Sequence, residues 1–282
     1  MAYTSSLKMI ADARAGGYAI PAFNFENLEM AQAIIDAATA ENSPVIMQTT
    51  PSTVDYIGLN QAYAIVFSLA AQTHVPVALH LDHCQDFSAL MKAIKAGYSS
   101  VMIDASKLSL QENIKVTRKV VDTARAMGIT VEAELGKVGG KEDELVVDDA
   151  AYADPSEAET FVAETGVDIF APAIGTAHGF YVGEPKLDFE RLSDIWKRTN
   201  VPLVLHGGSG IPDEQIQKCI SLGIAKVNYA TELRWAVTVA VRKVLEDSSV
   251  FDPKKYMAKA RESVKELCIQ KIAVCGSASR HS

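Results

Sequence analysis

Six histidines occur in this 282-residue chain: His74, His80, His83, His178, His206 and His281. Three of them sit at or just beyond the ends of apolar runs. His83 closes Leu79-His80-Leu81-Asp82-His83, His178 lies in Thr176-Ala177-His178-Gly179, and His206 opens His206-Gly207-Gly208-Ser209. Neutral imidazoles bind zinc well, and three protein ligands with one open position is the pattern of a catalytic zinc. A histidine at a strand end also serves as a hydrogen-bonding or substrate-touching group, so spacing alone leaves both readings open. The carboxylates Asp82, Asp104, Glu132 and Glu134 fall in or at the ends of similar runs. They suit proton transfer, or a buried network that orients other side chains. Gly207-Gly208-Ser209 and the segment Asn228-Tyr229-Ala230-Thr231 suit a phosphate. Glycine lets backbone N–H groups approach the oxygens, and a helix start adds positive potential. Two ordinary tight turns would carry the same residues. His74 and His281 read as surface groups. His80, two residues from Asp82, shares its strand face and can point inward.

These groups need elements that bring them together. Short β-rich runs alternate with amphipathic helical stretches along the chain. The predicted strands are Ala19–Asn24, Pro44–Gln48, Val77–Leu81, Ser99–Ile103, Thr130–Leu135, Asp168–Pro172, Pro202–His206 and Ala225–Asn228. The predicted helices between them are Leu28–Glu41, Gln61–Thr73, Phe87–Ala96, Gln111–Met127, Pro155–Thr165, Phe189–Arg198 and Asp213–Leu222. Eight βα units can close into an α/β, (β/α)8 TIM barrel, whose chemistry sits at the C-terminal ends of the strands. Asp252-Pro253 breaks the pattern, and Tyr256–Lys271 reads as an extra C-terminal helix. Gly136 to Asp154 shows no periodicity and is rich in glycine and acid. A connection that long inside a compact domain suits a lid over a site.

Composition narrows the function classes. Nearly half the residues are apolar, and no Pro-rich, Gly/Ser-rich or like-charge linker divides the chain, so residues 1–282 read as one domain. A net charge of −8 argues against nucleic acid as partner, while small anions remain possible because they need only a few local donors. Cys84, Cys219, Cys268 and Cys275 form no C-x-x-C pair and do not suggest a disulfide scaffold. No signal core and no membrane-length apolar run is present, so a cytoplasmic protein without membrane contact is expected.

Taken jointly, the motifs resemble those of the class II ketose-bisphosphate aldolases, closest to the tagatose-bisphosphate aldolase subgroup. The resemblance rests on Pro21-Ala22-Phe23-Asn24, Leu79-His80-Leu81-Asp82-His83, Met102-Ile103-Asp104 and Val131-Glu132-Ala133-Glu134-Leu135-Gly136. It continues through Gly139-Gly140-Lys141-Glu142-Asp143, Ala173 to Gly179, Leu205 to Gly210, Lys226-Val227-Asn228 and, near the end, Cys275-Gly276-Ser277-Ala278. It implies a zinc-dependent retro-aldol cleavage of a ketose 1-phosphate or 1,6-bisphosphate, giving dihydroxyacetone phosphate and an aldehyde such as glyceraldehyde 3-phosphate. By that resemblance His83, His178 and His206 hold Zn2+, Asp82 handles the C4 hydroxyl proton, and Glu142 exchanges the C3 proton. Asn24 and Asn228 orient the dihydroxyacetone part. Gly179, Gly207, Gly208, Ser209 and Asn228, Tyr229, Ala230 and Thr231 cradle the C1 phosphate, with a monovalent cation (Na+ or K+) beside it. Asp104 and Glu134 lie near the metal and offer it an alternate position. A homodimer or homotetramer, and in some relatives a companion subunit, is also implied.

Two positions depart from the family pattern. Cys84 follows His83 where relatives often carry His or Gly; inert packing is expected of it. Lys254 follows Asp252-Pro253 where many relatives place an arginine that grips the C6 phosphate of a neighbouring subunit's substrate. Lysine is a point charge where arginine is a planar fork. The distal group is therefore a phosphate or another anion, as in 6-deoxy-6-sulfofructose 1-phosphate, which would give sulfolactaldehyde. Competing readings are a Schiff-base aldolase using Lys226, a different metal-dependent lyase or hydrolase, and a non-catalytic barrel. EDTA inactivation against borohydride trapping separates the first from the zinc reading.

Overall fold

The computed structural model describes residues 2–142, 145–147, 151–181 and 183–281, with the backbone alone at 141, 142 and 145–147. α1 (Ser6–Gly16) precedes β1 (Ile20–Asn24). There follow α2 (Leu28–Ala40), β2 (Val45–Thr49), α3 (Pro51–Ile57), α4 (Leu59–Ala70), β3 (Val77–Cys84) and α5 (Phe87–Ala96). Next come β4 (Ser100–Ile103), α6 (Leu110–Arg125), β5 (Thr130–Leu135), β6 (Gly139–Glu142) and β7 (Leu145–Val147). The chain continues through α7 (Pro155–Thr165), β8 (Ile169–Pro172), β9 (Ala177–His178), α8 (Phe189–Arg198) and β10 (Leu203–Leu205). It ends with α9 (Asp213–Ser221), β11 (Ile224–Tyr229), α10 (Thr231–Val244) and α11 (Pro253–Val274).

Eight strands, in the order β1-β2-β3-β4-β5-β8-β10-β11, close into a barrel, and every neighbouring pair is parallel. With α11 packed beyond the last βα unit, this is the TIM barrel with a C-terminal extension that the alternation predicts. The helices start where local chemistry demands. Asn27, Asp86, Asp154, Asp188 and Asp252 each accept a backbone N–H of the following first turn, and Ser109 with Glu112 forms a capping box on α6. Each such cap is worth about 1 kcal/mol. Outward-facing strand residues and the inner helix faces form one continuous core that includes Phe161 and Phe170, whose rings lie 5.6 Å apart.

The barrel interior is layered, and the layering decides where chemistry is possible. Near the strand starts, Ile20, Ala22, Ile46, Ala78, Ile169, Ala171 and Val204 form an apolar plug with Met9, Ile10 and Ala13 of α1. Nearer the mouth the inward residues are polar: Asn24, Gln48, His80 and Asp82, Glu132 and Glu134, Lys226 and Asn228, all buried. An α/β barrel whose floor is dry and whose mouth is polar binds its ligand at the strand C-termini.

Four features differ from the sequence expectation. α1 escapes notice because its four buried positions, Ser6, Met9, Ile10 and Ala13, are too few and too small to give a strong stripe. α3 is a short turn that opens on Thr50 and Pro51. α11 begins at Pro253 itself, since proline suits the first helical position and Asp252 caps it. The connection after β5 is no bare loop: β6 and β7 pair antiparallel, and β6 pairs parallel with β9. Among the described residues no helix is long and apolar enough to cross a membrane.

Candidate active site

β3 brings two consecutive residues to the same mouth. Neighbours on a regular strand point to opposite faces, so Asp82 and His83 should diverge. The register against β4 shifts between Leu81 and Cys84, and His83 has φ 48°, in the left-handed region. This bulge re-aims the imidazole. His178 arrives on β9 and His206 follows β10. The ring of His83 meets those of His178 and His206 at centroid distances of 4.8 and 4.6 Å. One nitrogen from each of the three rings lies within 4.8 Å of the others.

The surrounding carboxylates fix which nitrogen each ring offers. His83 Nδ1 is 2.9 Å from Asp104 Oδ2, and Ser106 N–H and Oγ–H both donate to Asp104 Oδ1, at 3.1 and 2.7 Å. His206 Nε2 is 2.8 Å from Glu132 Oε1. Protonation on those nitrogens leaves His83 Nε2 and His206 Nδ1 as lone-pair donors, the arrangement by which a carboxylate orients a metal-bound histidine. His206 Nδ1 and Glu134 Oε2 are 3.0 Å apart and buried, yet neither makes a hydrogen bond among the described residues. A cation between them would satisfy both. Zinc–nitrogen bonds of about 2.0–2.1 Å place tetrahedral ligands roughly 3.3 Å apart, so the cluster needs only a small inward shift. The donor set therefore fits a divalent cation.

Beneath this cluster lies a second buried group, His80, Asp82 and Glu132. Lys226 Nζ already sits 2.6 Å from Glu132 Oε2 and supplies the positive charge there. His80 points into the barrel, with Nδ1 2.7 Å from Ser100 Oγ and Nε2 3.5 Å from Asp82 Oδ1. Asp82 Oδ2 accepts from Gln48 Nε2 at 2.9 Å and Asn228 Nδ2 at 3.2 Å, while Asp82 Oδ1, also buried, accepts no hydrogen bond from the described residues. Burial opposes its charge, but His83, His80 and Lys226 prevail and hold its carboxyl well below the usual range. Burial likewise opposes Asp104 and Glu132, and their histidine and lysine partners hold both low. Burial and His83 act against charge on His206, yet Glu132 and Glu134 lift its pKa to about 9.

A cavity opens beside the triad, lined by Asn24, His178, Gly179, Gly207, Ser209, Asn228, Ala230, Thr231 and Arg234. Among the described residues Asn24 Nδ2, Gln48 Oε1 and Asn228 Oδ1 are buried without hydrogen bonds, as groups awaiting a polar ligand would be. α10 has no side-chain cap of its own; Ser209 Oγ, from the preceding turn, accepts from the N–H groups of Ala230 and Glu232 at 3.3 and 3.4 Å. Two glycines permit the close approach of the loops. A Cβ on Gly207 (φ 64°) would meet Ala177 O at 2.3 Å, and one on Gly140 (φ 89°) would meet His178 O at 2.1 Å. Through Gly140, the β6–β7 hairpin is hydrogen-bonded directly to the strand that carries a triad histidine.

The sequence matches the class II fructose-bisphosphate aldolase family over residues 4–280. The chain belongs to the class II fructose-bisphosphate aldolases. Class II aldolases are metal-dependent enzymes that cleave carbon–carbon bonds, in agreement with the cation-ready triad. The chain is 46% identical over 286 residues to a fructose-bisphosphate aldolase of Staphylococcus epidermidis, covering 99% of each. It superimposes on the YdjI aldolase of Escherichia coli with a TM-score of 0.90 and 38% identity, covering 99% of this chain and 100% of that one. A fructose-bisphosphate aldolase of Campylobacter jejuni, at 24% identity and TM-score 0.84 over 98% of this chain and 96% of that one, shares the fold.

Within this aldolase the residues singled out from sequence do not all converge. His83, His178 and His206 cluster, with Asp104 against His83, Glu134 against His206 and Asp82 against Asn228, while Asn24, His178, Gly179, Gly207, Ser209, Asn228, Ala230 and Thr231 line the adjoining cavity. Gly208 N–H donates to Asn228 O at 3.0 Å and holds the two loops together. Tyr229 is buried in the outer core and stacks on Phe23. Glu142 ends β6, two residues beyond Gly140; its side chain lies outside the described residues. Lys254 stands elsewhere in its own chain, exposed, with Nζ 2.9 Å from Asp252. Cys84 is buried, its Sγ 3.5 Å from Asp86 O, and burial raises its thiol pKa. Sequence reasoning passed over Gln48, Ser106 and Arg234. Strand alternation with Ile46 could have flagged Gln48 as inward, and Arg234 lies one turn beyond Thr231 on the same helix face.

Proposed function

We propose that this aldolase cleaves a ketose 1-phosphate or 1,6-bisphosphate of the fructose or tagatose type, releasing dihydroxyacetone phosphate and an aldehyde such as glyceraldehyde 3-phosphate, with zinc as the resident metal. The observation that carries this reading is the three-histidine cluster beside Asp82, whose buried Oδ1 accepts no hydrogen bond from the described residues. His83, His178 and His206 would hold the zinc, with Glu134 beside it as an alternate ligand and Asp104 holding His83. Bound there, zinc supplies Lewis-acid stabilisation of the negative charge that develops beside the broken bond.

The remaining chemistry belongs to side chains. Asp82 Oδ1 takes the C4 hydroxyl proton, while Gln48 and Asn228 hold Oδ2 and so aim the other oxygen. Asn24 Nδ2 and Asn228 Oδ1 hydrogen-bond the dihydroxyacetone oxygens. Glu142, on the hairpin coupled to His178, delivers the proton to C3. The C1 phosphate rests against Gly179, Gly207 and Ser209 and the start of α10, with Na+ or K+ beside it. Support for the tagatose subgroup comes from the C-terminal Cys275-Gly276-Ser277-Ala278 segment. A single 282-residue domain assembled as a homodimer or homotetramer completes the proposal. The exposed rings of Phe180 and Trp235, in edge contact at 5.6 Å, support such an interface. In that assembly Lys254 would reach a neighbour's distal anion.

The test is cleavage of fructose and tagatose 1,6-bisphosphates by zinc-loaded protein, with released dihydroxyacetone phosphate reduced by a coupled NADH-dependent dehydrogenase. EDTA should abolish turnover, and borohydride with substrate should leave the enzyme active. Cleavage that survives EDTA, or inactivation by borohydride, would sink the zinc mechanism in favour of Lys226.

A further inference from the structure

Ser209 and Gly210 are joined to α10 by a reciprocal pair of hydrogen bonds. Ser209 Oγ accepts from the N–H of Glu232 at 3.4 Å, and Glu232 Oε1 accepts from the N–H of Gly210 at 2.6 Å. This is the pattern of a capping box, built here from two separate segments of chain. It latches the turn after β10 onto the start of α10, and Gly207, Ser209, Ala230 and Thr231 of those two segments line the cavity. The latch also brings a carboxylate into the first turn of α10, close to the wall assigned above to the C1 phosphate. The other oxygen of that carboxylate is met from the far end of the chain. Lys271 of α11 is buried, with Nζ 2.8 Å from Glu232 Oε2 and 5.4 Å from the centre of the Tyr229 ring. Lysine is seldom buried unless it is paired, and neither the metal cluster nor the proton transfers use this one.

We propose that Lys271 is a positioning residue for the phosphate cradle: it holds the Glu232 carboxylate that latches Gly210, and it cancels that carboxylate's charge where an anion must bind. This rests on the substrate reading above. A helix start attracts anions, so Glu232 competes with a phosphate for the same positive potential, and two negative charges there repel each other. With Lys271 against it, Glu232 keeps an oxygen on the Gly210 N–H while the pair as a whole carries no net charge. The Tyr229 ring turns its face to the ammonium and gives it a second attraction away from the carboxylate. The C-terminal helix, which lies outside the eight βα units, thereby supports the site without touching the substrate.

The experiment is titration calorimetry of dihydroxyacetone phosphate into zinc-loaded protein, with the kinetics of its condensation with glyceraldehyde 3-phosphate alongside. Lys271→Met leaves Glu232 uncompensated and should raise Kd for dihydroxyacetone phosphate by about five- to thirtyfold. KM for the same compound should rise in step, while kcat stays within about threefold and zinc content does not move. Adding Glu232→Gln removes the stray charge and keeps an oxygen for the Gly210 N–H, so the double variant should return to within about threefold of wild type. A mere packing defect at Lys271 would not be repaired by that second change. Glu232→Gln alone leaves the ammonium uncancelled and should bind dihydroxyacetone phosphate at least as tightly as wild type, which reads the charge effect if Lys271→Met does not fold. An unchanged Kd in Lys271→Met, a double variant that binds no tighter than Lys271→Met, or weaker binding by Glu232→Gln overturns the assignment and leaves the aldolase reading standing. Wild-type protein that takes up no dihydroxyacetone phosphate overturns the substrate reading, and the assignment with it.

Discussion

Glu132→Gln is the sharpest probe of how the buried polar layer beneath the triad supports the metal ligands. Glu132 is fully buried and accepts from two donors, His206 Nε2 at 2.8 Å and Lys226 Nζ at 2.6 Å. Glutamine has the same shape but one acceptor oxygen. If that oxygen takes Lys226, the amide N–H faces His206 Nε2 and forces the ring proton to Nδ1, the nitrogen meant for the metal. If it takes His206, the amide N–H faces a buried ammonium. Leaving one partner of a buried ion pair uncompensated costs about 3–5 kcal/mol. At about 2–4 °C per kcal/mol for a chain of this size, the metal-free thermal midpoint should fall by roughly 6–20 °C. Loss of the carboxylate that orients a ligating histidine costs about 10- to 100-fold in metal affinity. Circular dichroism melts in EDTA and zinc competition against a chromogenic chelator measure the two effects. Adding Lys226→Met removes the stranded charge and frees the glutamine oxygen for His206. The double variant should recover most of the stability and part of the affinity. A single variant with unchanged midpoint and unchanged zinc affinity, or a double variant no better than the single, would refute the reasoning.

Asp82→Ala should reduce cleavage by about a hundred- to ten-thousandfold while zinc content, read by atomic emission, stays at the wild-type level; loss of zinc instead would make Asp82 structural. Metal-free protein should show opposite pH trends at the two ends of the range. The His206 pKa is lifted from its ordinary value near 6.5 to about 9, so its contribution is complete below about pH 6.5 and is lost as pH rises toward 9. Asp82, Asp104 and Glu132 are held low, so their contributions are complete above the ordinary carboxylate range and fade as pH falls below about 4. Thermal midpoints in EDTA should therefore drop on both sides of a plateau near pH 5–6. Zinc-loaded protein should keep its midpoint to higher pH, because the metal takes the deprotonated imidazole; a metal-free midpoint that climbs from pH 6.5 to 9 contradicts the His206 assignment.

Much of this protein is written in local sequence, because the signals involved are local. The switch between strand and helix periods marks the eight barrel strands. A parallel barrel places every strand C-terminus at one mouth, so Asp82, His83, His206 and Asn228 could be gathered from strand ends alone. What tertiary structure decided are the relations that local period does not encode. Alternation places Asp82 and His83 on opposite faces; the bulge and the left-handed φ of His83 bring them to the same one. Lys226 and Glu132 lie 94 positions apart, and only barrel closure makes them a buried pair beneath His206. The stretch after β5 has no stripe of its own because its partner is β9, so pairing across the mouth, and not propensity, makes it a hairpin. Arg234 is one charged helix residue among several in sequence; its tether to Glu26, 208 positions away, turns it into part of the cavity wall. Composition and period determined the scaffold and the chemistry available to it. Long-range packing, where contacts between distant residues outweigh local preference, decided which nitrogen, which oxygen and which charge each group presents.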